Sequence, residues 1–186
     1  MFTRTWTSTI LFSRVSASRK TASVVRILGI DPGTRKLGYG VIDLSPPARL
    51  KYVECGVIAP RPTLALAARL AEIAADLGAL LRELRPDTVA VEEVFYGKNV
   101  RSMLALGQAR GVALAAAAGR GVAVVGYPPA AIKKSVVGHG RASKAQIGFL
   151  VRALLALRKA PPVDASDALA VAICHARSRG RDSVVR

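Results

Sequence analysis

Four carboxylates are the residues of this chain best placed to do chemistry: Asp31, Glu92, Asp164 and Asp167. Each of three has a plain explanation when taken alone. Asp31 precedes Pro32-Gly33 and can be a turn former. Asp164 can cap a helix, and Asp167 can be a favourable charge in its first turn. Glu92 is harder to explain, because it closes the apolar run Val89-Ala90-Val91. A carboxylate at the end of a buried strand loses much hydration unless it is paired or bound to a metal. Brought to one point, the four make the oxygen-rich donor set that hard cations such as Mg²⁺ require. Carboxylates that close repel one another unless cations neutralise them. Two metals about 3.5–4 Å apart can activate a water and stabilise the leaving oxygen of a phosphodiester.

The elements that must position these groups follow from the hydrophobic pattern. Residues 24–30 are a nearly continuous apolar run, read as a buried strand that Asp31-Pro32-Gly33 ends. Residues 37–44 and 50–59 give two more strands. Residues 63–84 are a helix, with Leu66, Leu70, Ile73, Leu77, Leu81 and Leu84 on one face, and Pro86 stops it. A strand over 87–95, a helix over 100–118 and a strand over 122–126 follow. A short helix over 130–136 leads to the loop Gly138-His139-Gly140-Arg141 and an amphipathic helix over 143–157. Pro161-Pro162 then breaks the chain before a last helix over 164–177. Three antiparallel strands followed by βα units predict an α/β protein: an RNase H-like mixed five-stranded sheet with helices on both faces. In that topology the first and fourth strands are neighbours and the last helix crosses their ends. Asp164 and Asp167, three residues apart, share a face of that helix.

Composition narrows the partner. The 186 residues carry a net charge of +16, which points to a polyanion. From Val94 to Val163 there is no Asp or Glu, while that span holds Lys98, Arg101, Arg110, Arg120, Lys133, Lys134, Arg141, Lys144, Arg152, Arg158 and Lys159. A codon bias toward arginine explains some of those cations but not the missing acids. The polyanion is either nucleic acid or a membrane surface, and the missing acids favour nucleic acid; the acid-free span is its expected face, with Arg110 and Arg141 among the contacts. No run has the roughly 18 apolar residues of a membrane span. Cys55 and Cys174 form no metal-binding spacing and read as two reduced thiols. Residues 1–23 are rich in Ser, Thr and Arg, and stand apart from the fold as an N-terminal extension. They read as an over-long gene start or, alternatively, a targeting segment. The expected nuclease domain is 24–178, with a basic tail over 179–186.

Several short motifs resemble one known family in order and spacing. Gly29-Ile30-Asp31-Pro32-Gly33-Thr34 with Gly38-Tyr39-Gly40, Val91-Glu92-Glu93-Val94-Phe95 and Leu106-Gly107-Gln108-Ala109-Arg110-Gly111 are three of them. Val136-Val137-Gly138-His139-Gly140 with Lys144-Ala145-Gln146, and Asp164-Ala165-Ser166-Asp167-Ala168-Leu169-Ala170, complete the series. Together they resemble the RuvC family of crossover-junction endodeoxyribonucleases, the Holliday-junction resolvases, over about residues 25–177. The resemblance implies a homodimer that makes paired, Mg²⁺-dependent nicks in strands of like polarity at a four-way junction, in recombination and repair. It implies two Mg²⁺ per site, with Mn²⁺ able to substitute. It places Asp31, Glu92, Asp164 and Asp167 on the family's four catalytic, metal-binding acids, Lys133 and Lys144 near the scissile phosphate, and Phe95 on the aromatic that stacks at the junction centre. It also implies branch-migration helicase partners and a bacterial cytoplasmic location, organellar if residues 1–23 are a transit peptide.

Other readings compete. Phe95 and Tyr96 can be ordinary sheet-end aromatics, and His175 on the carboxylate face of the last helix fits packing or a supporting hydrogen bond better than metal ligation. The Gly29–Thr34 motif also resembles the phosphate loop of actin-like ATPases, but the chain has no second Gly-rich loop. A non-cutting junction binder and an RNase H-like enzyme acting on hybrids or RNA are the remaining alternatives. The small residues of the helix over 100–118 (Ala105, Gly107, Ala109, Gly111, Ala113, Ala115) suit either a dimer interface or close packing on its own sheet.

Overall fold

The structure, a computed structural model, describes residues 24–93, 100–140 and 142–182; the side chains of 180–182 are outside the description. Phe95, Tyr96, Arg141 and the N-terminal extension therefore lie outside the described residues. The element order is β1 (Val25–Asp31), β2 (Leu37–Ser45), β3 (Arg49–Ile58), α1 (Leu66–Leu84), β4 (Thr88–Glu92), α2 (Val100–Ala118), β5 (Ala123–Tyr127), α3 (Pro129–Val137), α4 (Lys144–Leu154) and α5 (Val163–Asp182). The five strands form one mixed sheet in the order β3-β2-β1-β4-β5. The first three strands are antiparallel, and β1-β4 and β4-β5 are parallel. This is the expected α/β arrangement.

Strand alternation sorts the core into two layers. Leu28, Ile30, Val41, Val89 and Val91 point to one face, where the Ile73, Leu77, Leu81 stripe of α1 and Ala113 and Ala117 of α2 cover them. Ile27, Ile42 and Ala90 point to the other face, which α5 covers, with α3 and α4 outside it. Helix α5 is thus enclosed between the sheet and two helices. Ala165, Ala168, Leu169, Ala172 and Ile173 on it are all fully buried.

Glycine lets α5 come that close. A Cβ on Gly29 of β1 would stand 2.7 Å from the Ala172 amide nitrogen and press on the Ala168 carbonyl. A Cβ on Gly40 of β2 would stand 2.6 Å from Leu169 Cγ, and one on Gly38 would collide with the Asp164 backbone. The helix backbone therefore rests directly on three strand positions where no side chain fits.

Several element ends differ from the sequence reading. Helix α1 begins at Leu66 and not at 63, because Pro60 and Pro62 keep the approach in turns and Ala65 offers no side-chain cap. Helix α4 stops at Leu154, and Ala156 then takes a positive φ of 50°. Helix α5 continues to Asp182, so the expected basic tail over 179–186 starts as helix.

Candidate active site

The site is built at the carboxyl ends of β1 and β4. Parallel pairing sets Ile30 beside Val91 and so Asp31 beside Glu92, one residue on. Alternation turns both acids to the α5 face, because Ile30 and Val91 before them point the other way. Helix α5 starts above the same strand ends. The Asp164 backbone lies over Gly38, which is the antiparallel partner of Asp31. One turn on, Asp167 reaches the two strand-end acids.

Asp31, Glu92, Asp167, Lys133 and Lys144 line one cavity of about 120 Å³, floored by Ile132, Ile147 and Ala170. Lys133 comes from α3 and Lys144 from the first turn of α4. Ser143 and Gln146 form a reciprocal capping box that fixes that helix start: the Ser143 hydroxyl accepts from the Gln146 N–H at 3.2 Å, and the Ser143 N–H donates to Gln146 Oε1 at 2.8 Å. Lys144 Nζ donates to Asp167 Oδ2 at 2.9 Å. The remaining acid, Asp164, is half-buried in the first turn of α5 and does not line this cavity.

The electrostatics are those of crowded acids. Burial, then the charges of Glu92 and Asp167, push the Asp31 carboxyl up to about 8, and it hydrogen-bonds Glu92. Burial likewise raises Glu92, with the Asp31 hydrogen bond and the two lysines opposing. Lys144 is held above its usual value, first by its bond to Asp167. Among the described residues, no three acidic, His or Cys side chains have the spacing of a finished metal cage. Asp31 and Glu92 lean on each other, and Asp167 turns to Lys144. The donor set nevertheless fits hard cations, because it is all oxygen and its negative charges are crowded in a half-buried cleft.

Other residues singled out in the sequence fall elsewhere. Arg110 is half-buried on α2, beside Gly126 and Glu93, on the sheet face opposite the cavity. It does not join the carboxylates: an acid-free span reports charge, not the face to which each cation points. His175 is buried and bonded through Nδ1 to Tyr127 Oη at 2.8 Å, so it packs on β5 and does not line the cavity. Cys55 and Cys174 are not joined in a disulfide. Helix α2 divides its small residues: Ala109, Ala113 and Ala117 are buried on α1 and the sheet, whereas Gly107, Gly111 and Ala115 face outward with Leu104. The three glycines that seat α5 on the sheet are positions that sequence reasoning took only as parts of motifs. Their spacing, one on β1 and two on the same face of β2, was the available signal.

A family model described as the crossover junction endodeoxyribonuclease RuvC matches residues 27–175. The chain belongs to the RuvC family. The match spans every element that builds the cavity. A RuvC of Halorhodospira halophila is 49% identical over 156 residues, covering 84% of this chain and 92% of that protein. One of Bordetella avium is 50% identical over 154 residues, covering 83% and 84%. The structure of Thermus thermophilus RuvC in complex with a Holliday junction substrate superposes with a TM-score of 0.80 at 34% identity, covering 86% of this chain and 97% of that one. A yeast mitochondrial Holliday junction resolvase shares the fold at 12% identity, with a TM-score of 0.60. No helix among the described residues is long and apolar enough to cross a membrane.

Proposed function

We propose that this chain resolves four-way DNA junctions by paired hydrolytic nicks in strands of like polarity, with Asp31, Glu92, Asp164 and Asp167 as its metal-holding catalytic acids. The observation that carries the reading is the convergence of Asp31, Glu92 and Asp167 with Lys133 and Lys144 on one cavity, in a chain of the RuvC family. Asp31, Glu92 and Asp167 would hold the cations, two Mg²⁺ or in their place Mn²⁺, with Asp164 completing the set from the turn above Gly38. Bound there, the cations would neutralise the acids, activate the attacking water and stabilise the leaving oxygen. The protein's own part is placement. Glycine-seated α5 brings Asp164 and Asp167 down to the strand ends. Lys133 and Lys144 orient the scissile phosphate as cations at the cavity mouth. Phe95, Arg141 and Arg110 are assigned to the DNA beyond it, Arg110 from the opposite sheet face.

The substrate has two-fold symmetry, and one site cannot cut two symmetric strands without letting go. We therefore assign a C2 homodimer built on the outward stripe of α2, where none of the described residues comes within 4 Å of a Cβ added at Gly107 or Gly111. The chain would act beside branch-migration helicases in recombination and repair, in the cytoplasm as befits its bacterial relatives. The test is competition for cleavage in Mg²⁺ among a synthetic four-way junction, the same sequence as duplex, and an RNA–DNA hybrid. The reading expects cutting of the junction far ahead of the others. Preferred cutting of the hybrid or the duplex overturns it.

A further inference from the structure

We propose that Lys144 holds the place of a cation on Asp167 in the DNA-free protein, and that the phosphate of a bound strand draws it off, so that substrate opens Asp167 to metal. The inference rests on the active-site reading above and adds an order of events to it.

The bridge joins two unlike partners. Asp167 is anchored, with 17% of its side chain exposed, on a helix packed between the sheet and α3 and α4. Lys144 has its backbone fixed by the capping box, yet 75% of its side chain is exposed. The ammonium is therefore the mobile half, on a tether at the mouth of the cavity. A divalent ion entering the cavity meets one Asp167 oxygen already taken, at 2.9 Å, by an ammonium that also repels it. A DNA phosphate at the mouth offers Lys144 a second anion on the solvent side. When the ammonium moves there, it positions the strand and frees the carboxylate in a single displacement. Binding linkage is reciprocal, so junction binding tightens metal binding by the factor by which metal tightens junction binding. The DNA-free protein then holds metal more weakly than the junction-bound protein, and loading is favoured on substrate. A purely structural bridge pinning α4 to α5 has the opposite consequence, since cutting it would loosen the site.

The experiment titrates Mn²⁺ alone into the DNA-free full chain and follows binding by electron paramagnetic resonance. An exposed ion pair contributes up to about 1 kcal/mol, so Lys144→Met should bind Mn²⁺ about two- to fivefold more tightly than the unmodified chain. Lys144→Arg, which keeps a cation on Asp167, should stay close to the original affinity. Lys133→Met removes the same charge from the same cavity without touching the bridge, and should tighten Mn²⁺ less than Lys144→Met does. The gap between the Mn²⁺ needed for half-maximal nicking and the DNA-free dissociation constant should shrink in Lys144→Met by its gain in affinity. Equal or weaker Mn²⁺ binding by Lys144→Met overturns the proposal, as does an equal gain from Lys133→Met. An Asp31→Asn arm separates the two readings. If Asp31→Asn weakens Mn²⁺ and Lys144→Met changes nothing, the displacement idea alone falls. If Asp31→Asn leaves Mn²⁺ binding intact, the carboxylate assignment falls with it.

Discussion

Replacing Gly29 by Ala adds one methyl group, and the structure gives it nowhere to go. The new Cβ would stand 2.7 Å from the Ala172 nitrogen and 3.0 Å from the Ala172 Cβ, and closer still to the Ala168 carbonyl. Ordinary contact begins at 3.4 Å, so even the Ala172 nitrogen must retreat by 3.4 − 2.7 = 0.7 Å. These are backbone and Cβ atoms of a helix packed between the sheet and two helices, so no rotamer change relieves them. Overpacking of this kind costs roughly 1–3 kcal/mol, and rigid neighbours place Gly29→Ala near 3. At roughly 2–4 °C per kcal/mol for a chain of this size, the melting temperature should drop by about 6–12 °C. The same displacement lifts Asp164 and Asp167 from Asp31 and Glu92. A misplacement of about 1 Å can cost about 100-fold in rate, so nicking should fall tens-fold or more at temperatures where the variant is folded. Thermal unfolding by circular dichroism and nicking of a synthetic junction measure the two effects. Gly148→Ala, inside α4, is the matched control: an added Cβ there would meet Ser166 Oγ at 3.6 Å, an ordinary contact, so relief of helix-glycine entropy should give up to about 1 kcal/mol of stability. A Gly29→Ala protein with unchanged melting and nicking would refute the glycine seat.

Three further outcomes follow from the same structure. Burial, with a smaller part from Arg179, lowers His175 to about 4, so the folded state refuses a proton that the unfolded chain accepts near 6.5; stability should fall as pH drops from about 6.5 toward 4, and His175→Leu should flatten that limb in denaturant titrations. Junction affinity should fall linearly in log–log form with salt, with a slope of roughly −0.9 per phosphate neutralised, and salt-insensitive binding would contradict the cationic face. Sedimentation equilibrium should find a dimer that Gly111→Leu breaks without unfolding the protomer, since no described residue lies within 4 Å of a Cβ added there; a strict monomer, free and on a junction, would end the paired-cut scheme.

Periodicity carried most of the fold. The apolar runs of β1 and β4 and the leucine stripe of α1 each have one stable place in a mixed sheet, and the structure puts them there. The strand order made Asp31 and Glu92 legible as neighbours, and the structure adds that both face α5, because Ile30 and Val91 beside them point into the other layer. Helix ends were less legible where no cap residue marks them, as at Ala65, or where a left-handed residue such as Ala156 stops the run. The seat of α5 was hidden because a glycine's role as empty space is a property of what approaches it. The Lys144–Asp167 bridge was hidden for a similar reason: α4 and α5 meet only in three dimensions. Charge counting grouped Arg110 with the cavity lysines, whereas the helix period of α2 sets it on the other face of the sheet, beside Gly126 and Glu93.

The central claim is that the clustered carboxylates do the cutting, and isosteric neutralisation tests it most directly. Asp31→Asn, Glu92→Gln, Asp164→Asn and Asp167→Asn are each compared with the unmodified chain on one synthetic four-way junction in Mg²⁺. Binding is followed by gel retardation and nicking by strand analysis. Each substitution removes one anionic ligand and leaves the side-chain shape, so nicking should be abolished or greatly slowed. Junction binding should persist, because a carboxylate near phosphates opposes DNA and its loss costs no cationic contact. Near-normal turnover by the Asp31→Asn or the Glu92→Gln protein would contradict the account.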